Sequence, residues 1–520
     1  MKHTITTRLA ALLLFAAGMA GCSEEDTLPG GNTTTPDSAR CPMTVSVSDG
    51  GYTSSDPSAP GTRAVEDGYT TRFTAGDRIG LYAVKNNAIV ASNICLTATE
   101  SGSGGAGGNS IVWTGDAYYE GAGTIYFAYY PYKEGLTGDL VASATNASEF
   151  FANVVSAWTP AIDQSTYAKY TAQDLMTGSG TAVKQEDGTY SLSFNLTHAM
   201  ALVVIETPVT KYTLADKEGS SLPDYYVPAP DTRFYGFTPY SPSAGTYRYL
   251  VKPDQSGAGD LMGSYTAGSG DTKEYAVAQN DITAARYVLY TVDNAAVTEE
   301  SHTLQVGDFY LSDGSLVGKD AELTGPQKAA CLGIVMKVGR DDDGDWKDTD
   351  TYTNKAGNEM SDIHGYVLAL KDGNGGSTCT WGPYGTEVST NQQKNTLFCG
   401  YSNTQTIKTY AANNGKTLQN DFPATYYATA GYEASYPAPA NSSGWFFPSV
   451  GQCWYWYQNS DVLKQSMDKA GGDGRLYYYW SSSESSDGPA FDAWCVSFSG
   501  GYVGYGGKRY DFYVRSCLAF

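Results

Sequence analysis

The chain has 520 residues, with 42 tyrosines against 33 lysines and arginines together, and carries a net charge of −22 at pH 7. This length exceeds what one hydrophobic core supports and indicates about three domains at roughly 150 residues each. The negative charge argues against nucleic acid as a partner, because such binding depends on lysine and arginine side chains that neutralise phosphates.

The first residues form an export signal. A basic start is followed by an apolar stretch, Leu9 to Ala20, which is shorter than the roughly 20 residues of a membrane-spanning helix. Its end, Met19-Ala20-Gly21-Cys22, resembles the lipobox of bacterial lipoproteins, which are cleaved before the cysteine and acylated on it. The resemblance implies that residues 1–21 are removed and that Cys22 carries the lipid. The alternative is an ordinary secretory signal with a chance cysteine.

Residues 22–40 are rich in Ser, Thr, Pro and Gly and poor in apolar residues, so we expect an extended tether between lipid and fold. The acidic run Ser23-Glu24-Glu25-Asp26 resembles the tag that sends some lipoproteins of Gram-negative gut bacteria to the cell exterior. A solvated linker would have the same composition.

Strand patterns follow in chain order. Met43, Val45 and Val47 alternate with hydroxyl residues, as in a half-buried strand. Phe73 to Val84 predicts a second strand, and Ile125 to Tyr132, aromatic on both faces, predicts one buried on both sides. Ser191 to Thr207 alternates and then becomes continuously apolar, which predicts one central strand. Many short runs broken by Gly, Asn, Asp and Ser are typical of β-sheet with many turns.

In this order the segments resemble the fimbrillin family, the subunits of type V pili. The motifs that carry the resemblance are the lipobox at Cys22, the first strand, Thr62-Arg63-Ala64 before the second, FAYYPY in the third, DLMTG at Asp174 to Gly178, the apolar run around His198 and a closing strand at Ile282 to Asp293. The resemblance covers residues 41–293. It implies two tandem, transthyretin-like β-sandwich pilin domains, at 41–207 and 208–296.

Residues 297–520 have a different sequence pattern from the preceding part of the chain. Segments such as CLGIVMKVG, DIHGYVLALKD, GWFFPSVGQ and the terminal YVRSCLAF resemble, in this order, the FISUMP-type or major paralogous domain. That domain is similar in fold to C-type-lectin-like modules. The resemblance implies an α+β domain over 297–520, after two β-domains, in a mainly β chain.

Two helices are predicted within this last segment. Ser449 and Gln452 have the spacing of a capping box, so a helix should begin there, with Val450, Cys453, Trp454 and Tyr457 on its inner face. A second helix, Val462 to Ala470, should stop at Gly471-Gly472, where glycine adopts a left-handed cap.

The chain has nine cysteines, and the eight other than Cys22 allow 105 pairings in an exported protein. Cys495 and Cys517 lie on predicted terminal strands, so a disulfide between them is possible if the strands are adjacent. The alternative for each is a buried free thiol.

No constellation of residues indicates an enzyme or a cofactor. The chain has four histidines, too few to indicate a Ser-His-Asp catalytic triad or a zinc site. We expect His198 to be a hydrogen-bonded core residue, and His364 to have a structural hydrogen bond. Asp341, Asp343 and Asp345 offer oxygens for calcium but lack the EF-hand order, and a solvated loop is the alternative.

Surface aromatic residues in 297–520 are candidate ligand contacts. Trp480 and Trp494 lie within strands that carry the family resemblance, so we expect them in the core. Tyr502 and Tyr505 are flanked by glycine, and we expect them to be exposed for stacking on a sugar ring. The tripeptides of calcium-dependent sugar-binding lectins are absent from the sequence.

The fimbrillin resemblance implies a processing step. In that family a trypsin-like protease cuts after an arginine beyond the first strand, here Arg63, and loss of the strand opens a groove for a neighbour's strand. Because the chain ends at Phe520 inside a predicted strand, we expect a subunit that accepts a strand from a stalk pilin and donates none.

These features together predict a fimbrial tip subunit acting in cell adhesion. It would begin as a surface-exposed lipoprotein of the outer membrane, enter the fimbrium, and contact a glycan or protein ligand through 297–520. The alternative is a permanently anchored, glycan-binding surface lipoprotein. The sequence leaves open the ligand, the disulfide pairing, the cleavage at Arg63 and a tip or accessory position.

Overall fold

The computed structural model describes residues 41–54, 69, 72–100, 111–136, 139–253, 259–279, 282–340, 346–391, 396–474 and 477–520. The prediction of a mainly β chain is confirmed. The chain forms two compact units: the first comprises residues up to Val203 with 249–260 and 278–288, and the second comprises 204–248, 261–277 and 289–520. The assignment of two pilin sandwiches and a lectin-like domain stays a prediction.

The first unit is built around one large sheet. Its strands are β1 (Met43–Asp49), β2 (Thr53–Ser54), β3 (Arg78–Lys85), β4 (Ala88–Glu100), β5 (Ile111–Thr114), β6 (Ile125–Tyr130), β7 (Met176–Gly180), β8 (Val183–Lys184) and β9 (Tyr190–His198), with short helices α1 (Ala147–Phe150), α2 (Ala152–Ala157) and α3 (Tyr167–Thr171) between β6 and β7. Eight strands follow the order β1-β5-β4-β3-β6-β7-β9-β8, and β1 also pairs with β9. The sheet therefore closes on itself through β1.

The alternation of hydrophobic and polar residues explains which side chains of these strands are buried. In β9, Leu192, Phe194 and Leu196 are buried while the residues between them are exposed, as period-two side chains require. The predicted single strand over Ser191 to Thr207 is wrong, because the chain bends at Ala199-Met200. There the Ala199 N–H donates to the carbonyl of Leu175 at 2.7 Å, and a separate strand starts at Ala201.

Ten strands follow in the middle of the chain: β10 (Ala201–Glu206), β11 (Val209–Ala215), β12 (Tyr225–Pro228), β13 (Arg233–Tyr235), β14 (Tyr240–Ser243), β15 (Thr246–Val251), β16 (Leu261–Thr266), β17 (Thr272–Val277), β18 (Arg286–Thr291) and β19 (Val297–Thr303). In the second unit, β11 pairs antiparallel with β12 and parallel with β19. Strand β16 pairs antiparallel with β13 and β17.

The rest of the second unit mixes sheets with helices. Its strands are β20 (Phe309–Leu311), β21 (Leu316–Val317), β22 (Cys331–Val338), β23 (Lys347–Asp348), β24 (Gly365–Ala369), β25 (Leu397–Phe398), β26 (Tyr478–Glu484), β27 (Asp492–Ser497), β28 (Tyr502–Gly507) and β29 (Cys517–Ala519). Its helices are α4 (Gly325–Ala330), α5 (Gly400–Asn413), α6 (Leu418–Asp421), α7 (Pro423–Ala428), α8 (Ala430–Glu433), α9 (Val450–Gln458) and α10 (Ser460–Ala470). The sheets are β21-β20-β22-β24-β29, β23-β25 and β26-β27-β28.

The predicted start of the first helix and the predicted end of the second are confirmed, whereas the second helix begins at Ser460 and not at Val462. Ser449 accepts from the Gln452 N–H, and the Gln452 side chain accepts from the Ser449 N–H, which is a complete capping box. Helix α10 ends at Ala470 and is capped by Gly471, whose φ of 74° is left-handed. The predicted inner face of α9 is partly wrong, because Tyr455 and Trp456 are buried whereas Trp454 and Tyr457 are half-buried.

Candidate functional site

Strand β1 closes the sheet of the first unit. It pairs in parallel with β9, from Met43 opposite Tyr190 to Asp49 opposite Leu196, and antiparallel with β5, where Val45 lies opposite Trp113. It thus has hydrogen-bonding partners on both sides, although it precedes every other strand of the sheet in sequence.

The side chains of β1 also fill the core of this unit. Met43 and Val45 are 8% and 3% exposed, and Val47 packs against the same cluster, which includes Trp113 and Phe194. Burying a side chain of this kind contributes about 1.5–3 kcal/mol relative to leaving it exposed. Removal of β1 would therefore expose both an apolar slot and an unpaired strand edge.

A buried cluster of charged and polar side chains lies at the end of β1. His198 Nδ1 lies 2.8 Å from Asp174 Oδ1, and Nε2 lies 2.8 Å from Asp49 Oδ1, with side-chain exposures of 0%, 1% and 3% for His198, Asp174 and Asp49. The Nε2 contact is an ion pair without hydrogen-bond alignment. Tyr52 donates its hydroxyl to Asp174 at 2.7 Å and stacks on the imidazole at 3.8 Å between ring centroids. We call these four residues the His198 cluster.

Burial and neighbouring charges determine the protonation states of His198 and Tyr52. Burial alone would lower the pKa of His198, but the negative charge of Asp174 and contacts with both carboxylates outweigh it and raise the pKa to about 9. The ring is therefore an imidazolium at pH 7. Burial and the neighbouring Asp174 raise the pKa of Tyr52 well above its ordinary value, so its hydroxyl remains a donor.

Two members of the cluster precede Arg63 in the chain, Asp49 and Tyr52, and two follow it, His198 and Asp174. The cluster therefore connects the segment before Arg63 to the body of the first unit. Sequence reasoning expected a hydrogen-bonded core histidine but missed its acidic partners. A signal was present, because Asp49 ends the first predicted strand and Asp174 opens the DLMTG motif.

The segment before Arg63 is also held through β2. Strand β2 pairs in parallel with β18, with Thr53 opposite Arg286, and Arg286 Nη1 donates to the carbonyl of Ser54 at 3.0 Å. The predicted lipidation site Cys22, the predicted processing site Arg63 and the loop of Asp341, Asp343 and Asp345 lie outside the described residues.

Tyr502 and Tyr505 lie on β28, an edge strand of the β26-β27-β28 sheet, and are 49% and 53% exposed. They are three residues apart in a strand of regular register, so their side chains lie on opposite faces. Tyr502 contacts Tyr478 edge-on at 6.3 Å, whereas Tyr505 contacts Trp494 at 5.7 Å. One sugar ring therefore cannot stack on both tyrosines.

A cleft that sequence reasoning missed lies within the second unit. Its volume is about 730 Å³, and its lining includes Tyr212, Tyr225, Asp231, Arg233, Asp320 and Glu322. The rings of Tyr212 and Tyr225 stack at 4.9 Å. Aromatic rings and exposed charged groups around one cleft suit a polar ligand that also has an apolar face.

The predicted Cys495–Cys517 disulfide is wrong, since both residues are free thiols. Cys495 lies on β27 opposite Trp480 and Gly504, whereas Cys517 lies on β29 opposite Leu368. These strands belong to different sheets, so the two residues are not cross-strand neighbours. Burial raises the pKa of the Cys495 thiol to about 12, which suits the alternative of a small core residue.

Several buried charges of the second unit are paired. Glu484 accepts from Lys508 Nζ at 2.5 Å, with both side chains fully buried, and also from the Val388 N–H at 2.8 Å. His364 has the expected hydrogen bond, 2.8 Å to Asp216. Trp480 and Trp494 are in the core, as predicted.

Across the described ranges, no group of three or more histidine, cysteine or acidic side chains could hold a metal ion. Within the same ranges, none of the helices is both long and apolar enough to cross a membrane.

Comparison with known proteins identifies the family. Residues 62–224 match the family model described as fimbrillin-like. A curated Bacteroides ovatus protein named for a fimbrium tip subunit, Fim1C, is 31% identical over 99% of both chains. A solved fimbrial protein from Bacteroides ovatus is 28% identical, covering 93% of this chain and all of that one, with a TM-score of 0.43. The identity to the curated relative over nearly the whole chain, together with the family-model match, shows that the chain belongs to the fimbrillin-like family.

Proposed function

We propose that this protein is the tip subunit of a fimbrium, acts in cell adhesion, and accepts a strand from a stalk pilin in place of β1. The observation that carries the proposal is that β1 closes the sheet with partners on both sides, although it belongs to the segment before Arg63. The name of the Bacteroides ovatus relative supports the tip position.

Cleavage after Arg63 would convert β1 from a covalent part of the sheet into an exchangeable strand. The vacated slot would offer the edges of β5 and β9, so an incoming strand would gain ladder hydrogen bonds and apolar contacts together. The same cut would separate the body of the protein from Cys22, its anchor in the outer-membrane lipid. The subunit would then pass from the membrane surface to the fimbrium.

Digestion of the full chain with a trypsin-like protease tests this proposal. We expect a cut after Arg63, identified by mass spectrometry, followed by uptake of a labelled C-terminal strand peptide of a stalk pilin. The Arg63→Ala variant is the matched control and should neither be cut there nor take up the peptide. A cut chain that retains β1 and takes up no peptide would refute strand replacement.

The ligand would be contacted through residues 297–520, with exposed Tyr502 on β28 and its neighbour Tyr478 on β26, which share one face of the β26-β27-β28 sheet. Glycan and matrix-protein arrays probed with the full chain and with Tyr502→Ala test this part. Binding that the substitution leaves unchanged would exclude Tyr502 as a contact.

A second candidate function is that of a permanently anchored, glycan-binding surface lipoprotein. The cleft lined by Tyr212 and Tyr225 favours it, because stacked rings and nearby Asp231 and Arg233 suit the apolar face and the hydroxyl groups of a sugar. Sugar binding that Tyr212→Ala abolishes, by a chain that stays lipidated and uncut after protease treatment, would favour this function over the first.

A further inference from the structure

The segment before Arg63 contributes a negative charge as well as a strand. Along β1 the side chains of Met43, Val45 and Val47 face the core, and the next position with this spacing is Asp49. The Asp49 carboxylate is 3% exposed and lies against a fully buried imidazole. The inward-facing positions of β1 are therefore three apolar residues followed by one acidic residue.

Loss of this segment would change the charge balance of the His198 cluster. Asp49 would leave, Tyr52 would leave with it, and His198 would keep Asp174 on Nδ1. Nε2 would then face the vacated slot. A buried imidazolium that loses one of its two carboxylates is costly, because its charge is then less well compensated in the interior.

We propose that the incoming strand carries an aspartate or glutamate at the position that Asp49 occupies, so that its carboxylate contacts His198 Nε2. This inference rests on the proposed strand replacement and adds the chemistry of the partner to it. The partner strand is an alternating one with three inward apolar residues and an inward acid two residues after the third. Strands with the same apolar pattern but a neutral fourth position are poor partners.

The register of β1 fixes where the acid must lie. Asp49 is opposite Leu196, two residues before His198 on β9, and Gly50 donates its N–H to the Leu196 carbonyl at 2.8 Å. A shift by one residue would turn the carboxylate to the other face of the sheet. The acid therefore specifies the depth to which the strand is inserted as well as the identity of the partner.

Peptide uptake by the full chain tests this inference. A site-specific protease sequence introduced at Arg63 makes the cut independent of natural processing. Fluorescently labelled peptides of residues 42–49, unchanged or with Asp49→Asn, serve as model donor strands, and binding is measured by fluorescence polarisation at pH 7. We expect the unchanged peptide to bind roughly 10- to 100-fold more tightly, because only its carboxylate forms an ion pair with the buried imidazolium.

The His198→Gln variant of the same chain separates charge recognition from general strand affinity. In it, the two peptides should bind with similar affinity. Equal binding of both peptides to the chain with His198 would overturn the acid requirement and leave strand replacement standing. Failure of both peptides to bind would overturn strand replacement and the inference with it.

Discussion

The substitution Asp49→Ala should loosen β1 without altering its backbone ladder. Asp49 and His198 have side-chain exposures of 3% and 0%, and removing one partner of a buried ion pair costs about 3–5 kcal/mol. Asp174 still faces the ring, so we expect the lower end of that range, about 3 kcal/mol. At about 1.36 kcal/mol per tenfold change, β1 should open about 100-fold more often.

Hydrogen–deuterium exchange of the full, uncut chain at pH 7 measures this opening in peptides that cover β1 and β9. The control is Asp163→Ala, which removes an ion pair with Lys169 whose side chains are about half exposed, at 50% and 51%, and an exposed pair of this kind contributes little to stability. Combining Asp49→Ala with His198→Gln should restore part of the protection, because no unpaired imidazolium remains. Exchange in β1 that Asp49→Ala leaves unchanged, or changes no more than the control does, would refute the reasoning.

Three further predictions follow from the structure. The pKa of His198 is raised to about 9 in the folded chain, above about 6.5 when unfolded, so its stabilisation is complete below about pH 6.5 and is lost as the pH rises through about 9. The thermal midpoint of the first unit should fall over this range in the wild type but not in His198→Gln, and the same fall in both would contradict the assignment. Tyr502→Ala should weaken ligand binding on arrays while Tyr226→Ala, at a tyrosine 45% exposed elsewhere in the second unit, should not, and equal losses would exclude a specific contact. Glu484→Gln should destabilise the second unit by about 3–5 kcal/mol by leaving the buried Lys508 ammonium unpaired, measured as faster exchange in β26 and β28. Adding Lys508→Met should recover part of the loss, and a single variant as protected as the wild type would show that the pair contributes little.

Local features of this protein could be predicted from the sequence because their causes lie within a few residues of each other. The capping box at Ser449 and the left-handed cap at Gly471 depend on side chains one helical turn apart. The alternation in β9 reflects which residues can be buried on one face of a strand. The mainly β character follows from many such segments.

Two wrong predictions, the single strand and the disulfide, both depended on contacts between segments that are distant in sequence. The single strand predicted across Ser191 to Thr207 is interrupted where Ala199 bonds to Leu175, a contact between separate segments. The predicted disulfide required Cys495 and Cys517 to be neighbours, and strand pairing places them in different sheets.

The sequence by itself determined the strand-rich character, two helix boundaries and the resemblance to fimbrillins, because these depend on short-range patterns. Only the tertiary structure decided that β1 closes the sheet of the first unit and that Asp49 and Asp174 flank His198. Pairing between distant segments sets the register, and a buried imidazolium is stable only when separate segments of the chain bring its carboxylates to it.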